Sequence, residues 1–562
     1  MENTRNYISR CLSALLSEHG ITDAVVSPGS RNAPLLVALS RNENIAMHVV
    51  VDERSAGFIA LGMALTQGRP VALVCTSGTA LLNYAPAVAE AYYRRVPLIV
   101  ISADRPKEWI DQDDSQTIVQ PEALSNYVKR SYNLPVDCSK ADRWFANRSI
   151  NDAILTAVSG RQAPVHINIQ LGEPLGALSD FSGEVFRSIQ LIDPAATLST
   201  ARSRELGRTI ASPRKVMIVA GFLRPDKTLN RALNRLAALP NIVVLTETIS
   251  NLHGNAFVDC IDSALSSLAP YTIEEMRPDV VITLGGALVS RHIKQFLRNN
   301  PPQEHWHVGI SRTTIDCFMS LTTRIEMSPE IFFPLLASAM QPHTASCDYA
   351  RQWSVVKNRA LSLRQAFTAR APWSDFKAFG TLIPMIPRGW NVHYSNGTSI
   401  RYAQIFGEHS YHRCECNRGV SGIDGCTSTA IGASIAYKSG VTLLITGDMS
   451  AQYDIGALAC SHISPRFKMI VISNGGGGIF RFIHSTRSLD ILEECFCVNN
   501  TMLPFRELAA GYGFEYMEAE NEQDLRDVFP RFRDIADRPA MLVIKTPAEE
   551  SAVVLNSFFE RT

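Results

Sequence analysis

Three groups that could hold a charged ligand lie within one stretch of the chain: Asp448, after Gly447, at one end, and Asn474 with the carbonyl of Gly476 at the other. Each follows an apolar, strand-like run, Val441 to Thr446 and Phe467 to Ser473, so the acid and the amide fall at two strand ends. A hard divalent cation that bridges to phosphate takes a carboxylate, a neutral amide oxygen and a backbone carbonyl, and leaves its other positions to phosphate oxygens and water. Asp448, Asn474 and the carbonyl of Gly476 would supply those three, and the glycine run Gly475 to Gly478 lets the backbone approach a diphosphate closely. An ordinary strand, turn and helix with a capping Asp fits the same residues.

Far upstream, Asp52-Glu53-Arg54 follows another strand-like run, Met47 to Val51. The acids suit a helix N-terminus, where they would favour the positive end of the helix dipole. The Gly447-Asp448…Asn474 pair also resembles the signature of thiamine-diphosphate enzymes, with Met449 where a small residue is usual and Ser473 in place of a first Asn. Such an enzyme needs a distant carboxylate against the aminopyrimidine ring of the cofactor, which promotes removal of the thiazolium C2 proton. Glu53 stands where that resemblance requires one.

The elements that must position these groups follow from periodicity. Strand-like runs at Ala24 to Val26, Met47 to Val51, Val71 to Cys75, Leu98 to Ser102 and Val165 to Ile169 alternate with helical stretches, the pattern of a doubly wound parallel sheet. After Leu171-Gly-Glu-Pro174 a weakly patterned segment leads through Ser212-Pro213 into a second block. Its strands are predicted at Val216 to Ala220, Ile242 to Thr246, Val280 to Leu284 and His305 to Gly309. The polar stretch Gln341 to Asp348 precedes a third block, with strands at Asn391 to Tyr394, Val441 to Thr446, Phe467 to Ser473 and Ala540 to Lys545. The fold class is α/β, with three doubly wound parallel-sheet domains over residues 1–180, 181–345 and 346–562, of similar enough size to suggest a duplication.

A chain of 562 residues suits about three domains, and 46% apolar with 19% charged residues is ordinary for a globular protein. Formal net charge is zero and no basic block stands out, which disfavours nucleic acid and anionic membrane surfaces as partners. No apolar run nears the roughly 20 residues of a membrane span. Met1 to Gly20 reads as an amphipathic helix, not a signal peptide, so a cytoplasmic location is expected. The twelve cysteines, among them Cys75, Cys317 and Cys460 in apolar contexts, are expected to be buried free thiols. Cys414-Glu-Cys416 and Cys495-Phe-Cys497 fit no common zinc spacing, and no glycine fingerprint for a dinucleotide is present.

Seven motifs in order along the whole chain carry a closer resemblance: Ser27-Pro-Gly-Ser-Arg31, Asp52-Glu53-Arg54, Thr76-Ser-Gly-Thr-Ala80, Ala103-Asp-Arg-Pro106, Asn417-Arg-Gly-Val-Ser-Gly-Ile-Asp-Gly425, Gly447-Asp448 and the Asn474 glycine loop. Together they resemble the 2-succinyl-5-enolpyruvyl-6-hydroxy-3-cyclohexene-1-carboxylate synthase family, the thiamine-diphosphate-dependent transferases of menaquinone biosynthesis. The resemblance implies a pyrimidine-binding, a central and a diphosphate-binding domain. It also implies a reaction in which 2-oxoglutarate is decarboxylated and the succinyl semialdehyde carbanion equivalent adds in conjugate fashion to isochorismate, with release of CO2. Thiamine diphosphate with Mg2+ or Mn2+ would be the cofactors, and the active sites would lie between subunits of a homotetramer.

Matched by motif, Glu53 would be the catalytic carboxylate. The resemblance assigns cofactor contacts to Thr76, Ser77, Gly78, Gly447, Asp448, Met449, Ser450, Asn474 and Gly476, and to Ile423 the role of propping the cofactor into a bent shape. Asp448, Asn474 and Gly476 would hold the metal. Ser30, Arg31, Arg105 and Gln116 match the first-domain substrate contacts, and Asn396, Arg401 and Arg418 those of the third domain. Arg291, beside His292, stands where a basic pair from the central domain reaches substrate, and Ile479, Phe480 and Ile483 would wall the reacting carbon or simply bury a helix face. Gly397 departs from the Ser common in the family.

Both substrates of that family are dicarboxylates, and arginine forks recognise carboxylates in pairs of hydrogen bonds. Arg31, Arg105 and Arg401 each lie beyond a predicted strand end, and Arg418 follows the short run Arg413 to Cys416, where ligands bind in open α/β sheets. A thiamine enzyme acting on monocarboxylic 2-oxoacids, such as an acetolactate synthase, would not need so many. A binding protein that had kept the fold but lost catalysis would be expected to lack Glu53, Asp448 or Asn474.

Overall fold

The computed structural model describes the chain apart from residues 1–5, 137–138, 174, 176–184, 193–195, 212, 270–271, 312, 341–346, 408–412, 499–502 and 562. Pro174, Ser212 and the greater part of the Gln341 to Asp348 stretch therefore lie outside the described residues. The N-terminal amphipathic helix spans Tyr7–Glu18 and buries Ile8, Leu12, Leu15 and Leu16.

Three parallel sheets carry the molecule. The first contains β1 (Asp23–Val26), β2 (Ala46–Val49), β3 (Val71–Cys75), β4 (Leu98–Asp104), β5 (Ser131–Leu134) and β6 (Val165–Gln170), in the order β2-β1-β3-β4-β6-β5. Every pairing in it is parallel. The second contains β7 (Val216–Ala220), β8 (Ile242–Thr246), β9 (Val280–Leu284), β10 (Glu304–Val308) and β11 (Thr323–Ile325), in the order β11-β10-β9-β7-β8. The third contains β12 (Asn391–Tyr394), β13 (Arg413–Glu415), β14 (Thr442–Gly447), β15 (Phe467–Ser473), β16 (Glu515–Ala519) and β17 (Ala540–Lys545), in the order β13-β12-β14-β15-β17-β16.

Counted from its own first strand, the third sheet repeats the first: second, first, third, fourth, sixth, fifth. In each, the first strand lies between the second and third, so the loops after the first and third strands diverge and open a crevice at the carboxyl ends. The central strands are runs of Val, Ile and Leu buried on both faces, as parallel strands covered by helices must be. Thirteen predicted strands appear within a residue or two of their expected ends.

The chain forms two compact units. One comprises Met1–Asp193, Gly419–Thr442 and Gln452–Phe467, the other Pro194–Arg418, Leu443–Ala451 and Lys468–Thr562. The first is built around the first sheet, whose core includes Leu12, Val26, Val74, Ile101 and Ile167. Within it the helices Glu53–Gln67 and Cys426–Ala436 cross at glycines. A Cβ on Gly62 would sit 1.9 Å from the Thr429 carbonyl oxygen, and one on Gly432 2.0 Å from that of Ile59. The second unit holds the other two sheets. Its second-sheet core is split between the two faces, with Ile218, Val244 and Ile282 on one and Met217, Val243 and Val281 on the other.

Among the described residues no helix is long and apolar enough to cross a membrane. The expectation of buried thiols needs four corrections: Cys317 and Cys495 are exposed, and Cys347 and Cys460 only partly covered. At Cys317 the apolar character belongs to its neighbour Phe318, which is buried while the thiol turns outward.

Candidate functional site

Glu53 is the first residue of the helix Glu53–Gln67, directly beyond the end of β2. Asp52 caps that helix: its Oδ1 accepts from the Arg54 amide at 2.9 Å, and its Oδ2 from the Ser55 hydroxyl at 2.9 Å. Arg54 is anchored in turn, donating to the Tyr453 carbonyl at 3.0 Å, lying over the Tyr453 ring and pairing with Asp454 at 3.7 Å. Asp454 is fully buried and accepts from the amide and hydroxyl of Ser428 at 2.6 and 2.8 Å. Burial pushes its carboxyl up to about 7, against those hydrogen bonds and the nearby Arg54. Glu53 is thus held between two anchored neighbours, with its own carboxylate uncommitted by the cap. Its negative charge is felt by the buried Cys75 and Tyr84, whose acidities fall first through burial and further through such charges.

The crevice of the first sheet lies between the loops after β1 and β3. Here a Cβ on Gly29 would stand 2.4 Å from the Cβ of Thr76, so only glycine allows the two loops to meet. Thr76 is buried, yet its Oγ1 has no hydrogen-bond partner among the described residues. A buried hydroxyl in that state costs free energy unless something from outside completes it. Ser77 and Gln116 bind each other reciprocally, Ser77 Oγ to the Gln116 carbonyl at 3.0 Å and Gln116 Nε2 to the Ser77 carbonyl at 3.2 Å. Gly78, at φ +87°, donates to Gln120 at 2.7 Å. Arg31 is buried and reaches the Leu171 carbonyl and Glu173, both at 3.1 Å, while Arg105 pairs with Asp114 at 2.5 Å and keeps a buried, unpaired Nε. Ser30 is exposed at the mouth of the β1 loop.

Ile423 belongs to a loop gripped by Glu90, a residue to which the sequence drew no attention. The buried carboxylate of Glu90 accepts from the amides of Gly419 at 2.7 Å and Val420 at 2.6 Å. At the far end of the loop Gly425 lies against the ring of Phe58, on the helix that Glu53 begins; a Cβ there would stand 2.2 Å from it.

The acid and amide read from the sequence come together at the ends of β14 and β15. Asp448 Oδ1 accepts from the Met449 amide at 2.8 Å, and its Oδ2 from the amides of Asn474 at 3.1 Å and Gly476 at 3.0 Å. Burial raises the pKa of Asp448 above its ordinary value, and these backbone donors oppose the rise. The Asn474 amide nitrogen donates to Asp375 at 2.8 Å, and Asp375 is itself buried and takes the Thr546 hydroxyl at 2.6 Å. With Nδ2 committed to Asp375, Asn474 Oδ1 is the atom available as a ligand.

Gly475, Gly476 and Gly477 run at φ +79°, +83° and +46°, and a Cβ on Gly476 would lie 2.2 Å from the Cys497 carbonyl. The glycine carbonyl, amide and carboxylate expected of a magnesium–diphosphate site are therefore present, and the donor set fits such an ion. Arg481, a buried residue that the sequence did not single out, donates to the Gly476 carbonyl at 3.0 Å and makes a two-pronged pair with Glu493. Ile479, Phe480 and Ile483 lie on the short helix Gly478–Phe482 and its end, all partly exposed rather than buried as a plain core face would be. Gly447 donates to Ser395 at 3.3 Å across the crevice of the third sheet, Met449 is half-buried, and Ser450 is buried.

Three of the arginines converge. Burial and the like charges of Arg291 and Arg418 lower Arg401 to about 10, in spite of Asp262 and Glu247. Arg401 makes no side-chain hydrogen bond or ion pair among the described residues, while Arg418 donates to Asn396 at 3.1 Å and keeps a buried, unpaired Nε. Arg291 opens the helix Arg291–Asn299 and is exposed. His292 is no free surface residue, since its Nδ1 lies 3.1 Å from Asp262. Gly397 takes φ +93°, a conformation that would strain the Ser usual there.

All three arginine-bearing elements are tied to one turn after β8, Glu247 to Asn251. Glu247 accepts from the amides of Val289 at 2.8 Å and Ser290 at 2.7 Å, just before Arg291. Thr248 donates through its amide, at 2.9 Å, to Gln404 on the helix Ser399–Phe406 that bears Arg401. Asn251 exchanges two hydrogen bonds with Cys414, at 2.8 and 2.9 Å, on the strand that leads to Arg418. Burial pushes Glu247 up to about 7 against the Ser290 and Val289 amides and Arg418.

A carboxylate at a helix start, a glycine-lined acid and amide at a second crevice, and a group of arginines together describe a thiamine pyrophosphate enzyme. Comparison with known proteins agrees. Residues 7–124 match the thiamine pyrophosphate enzyme N-terminal TPP binding domain, and residues 197–369 the middle domain of thiamine pyrophosphate enzymes. The chain is 42% identical to the 2-succinyl-5-enolpyruvyl-6-hydroxy-3-cyclohexene-1-carboxylate synthase of Porphyromonas gingivalis, covering 98% of this chain and 96% of that protein. It is 36% identical to those of Flavobacterium johnsoniae and Bacteroides fragilis, with 98% of each chain covered. The chain belongs to the 2-succinyl-5-enolpyruvyl-6-hydroxy-3-cyclohexene-1-carboxylate synthase family.

Proposed function

We propose that this protein joins 2-oxoglutarate, with loss of CO2, to isochorismate, using thiamine diphosphate and Mg2+ or Mn2+, in the cytoplasm and as a homotetramer. The observation that carries the reading is the convergence of Arg291, Arg401 and Arg418, with Asn396 beside them. Several uncommitted guanidinium donors in one place suit dicarboxylates far better than a lone 2-oxoacid carboxylate.

When bound, thiamine diphosphate supplies the electron sink for decarboxylation. Asp448, the Oδ1 of Asn474 and the Gly476 carbonyl would hold the metal, and the glycine loop would let the backbone approach the diphosphate closely. Gly447, Met449 and Ser450 would border it, while Thr76 Oγ1, Ser77 and Gly78 would line the pyrimidine side. Ile423 would prop the bound cofactor. Glu53 holds a proton on its carboxyl oxygen against the pyrimidine ring and returns it during turnover. Arg31, Arg105, Arg401, Arg418 and Arg291 neutralise substrate carboxylates, Ser30, Gln116 and Asn396 orient them, and Ile479, Phe480 and Ile483 keep water from the reacting carbon. The boundaries 1–180, 181–345 and 346–562 follow the three sheets and are proposed as the pyrimidine-binding, central and diphosphate-binding domains.

The test is a coupled assay on purified protein with thiamine diphosphate and magnesium. Loss of isochorismate that requires 2-oxoglutarate, together with impaired dicarboxylate use in Arg401→Ala and Arg418→Ala, is expected. Consumption of a monocarboxylic 2-oxoacid with isochorismate untouched would overturn the reading.

A further inference from the structure

A group of like-charged arginines repels itself and needs both a rigid frame and opposite charge nearby to stay assembled. In this protein the frame is unusually concentrated. The turn Glu247 to Asn251 reaches the helix of Arg401 through Thr248, the strand before Arg418 through Asn251, and the start of the Arg291 helix through Glu247. A second buried acid, Asp262, adds to it: its Oδ1 takes the Ser290 hydroxyl and His292 Nδ1, and Ser290 caps the same helix by accepting from Ile293 at 3.2 Å. Between the two acids runs the segment Leu288 to His292. Its Leu288 carbonyl accepts from Lys294 at 2.9 Å and from Arg418 at 3.4 Å.

We infer that Glu247 and Asp262 are positioning residues for the arginine group: they fix the Leu288–His292 segment on which Arg291 and Arg418 converge, and the negative charge of Asp262, joined by that of Glu247 when ionised, helps hold Arg291, Arg401 and Arg418 together while no substrate is bound. Neither acid touches substrate. The inference rests on the arginines being the carboxylate-binding set. Two features of the structure support it beyond packing. Both acids are buried where neutral residues would serve a purely structural purpose at lower desolvation cost. Both also act electrostatically on Arg401, which forms no ion pair among the described residues.

The test measures KM for 2-oxoglutarate, kcat and thiamine diphosphate affinity in Glu247→Gln and Asp262→Asn, each alone and combined with Arg401→Ala. If the acids act through the arginines, KM rises by about tenfold in each single variant while kcat and cofactor affinity change by less than about threefold, and the rise largely vanishes in the Arg401→Ala background. An unchanged KM in both single variants overturns the inference, as does the same fold-change with and without Arg401, the signature of a merely structural residue. Asp262→Glu, which restores the charge, is expected to recover part of the lost affinity; no recovery relative to Asp262→Asn counts against a charge role. The underlying reading fails separately, through unaltered KM in Arg401→Ala and Arg418→Ala with the acids intact.

Discussion

Asp375 holds Asn474 by its amide nitrogen at 2.8 Å, and so decides which atom of Asn474 faces the Asp448 site. The two residues are 99 positions apart, and only the packing of the helix Asp375–Leu382 against the end of β15 brings them together. Asp375→Asn keeps the shape but allows either amide orientation. It is expected to weaken Mg2+ binding about 10- to 100-fold, the usual effect of losing a partner behind a metal ligand. Magnesium titration of cofactor binding by calorimetry measures this directly, and unchanged affinity would remove Asp375 from the site.

Glu53→Gln leaves the cap by Asp52 and the anchors of Arg54 intact, because none of them uses the Glu53 side chain. Turnover is expected to fall by about 10²- to 10⁴-fold, the range lost with a general acid or base, with cofactor affinity little changed. Steady-state kinetics beside a binding isotherm separates the two. Near-normal turnover would exclude Glu53 from proton handling.

For Gly476→Ala two costs combine: a left-handed backbone at φ +83°, worth roughly 1–2 kcal/mol for a residue with a side chain, and a Cβ 2.2 Å from the Cys497 carbonyl. The loop must shift, and it carries a proposed metal ligand. Loss of measurable thiamine diphosphate binding is expected, together with a lowered melting temperature of the cofactor-free protein. Normal binding would show that the loop accommodates a side chain.

Asp454 carries a pH dependence whose sign follows from its burial. Its folded-state pKa, about 7, lies above its ordinary value of 3.8, so the folded protein holds a proton that the unfolded chain releases. Its contribution is most favourable below pH 3.8 and declines as pH rises to about 7, with a limiting slope of about 1.4 kcal/mol per pH unit. In Asp454→Asn that slope disappears, so its stability relative to the parent protein rises from pH 5 to pH 8. Denaturant melts at both values test this; a constant difference would mean that Asp454 is ionised throughout.

Continuous apolar runs made the central strands readable, because parallel strands are buried on both faces. The strands that escaped notice, β5, β11 and β16, are short edge strands with polar members such as Asn133, Arg324 and Glu518, and lack that pattern. In the site, residues flanked by glycine or set in short motifs were legible: Asp448, Asn474, Gly476, Thr76, Arg31, Arg105 and Arg418 follow strand ends as expected, while Arg401 and Arg291 lie on the helices beyond them. Glu90, Glu247, Asp262, Asp375, Asp454 and Arg481 were not. Each is a charged residue in an unremarkable local context and, except for Arg481, whose partners Gly476 and Glu493 are 5 and 12 positions away, what makes it matter is a partner from a distant part of the chain, which no local spacing records.

The glycine crossing of the helices Glu53–Gln67 and Cys426–Ala436 acts as a mechanical stop. With backbone lying on backbone at Gly62 and Gly432, neither helix can slide along the other, since there is no side-chain layer to rearrange. A disturbance at either helix therefore cannot be absorbed at the crossing and is passed to the helix ends, where Glu53 stands on one and the Ile423 loop leads into the other. Substitutions buried far from any ligand, at Gly62 or Gly432 themselves, should thus register first as misalignment at those two ends.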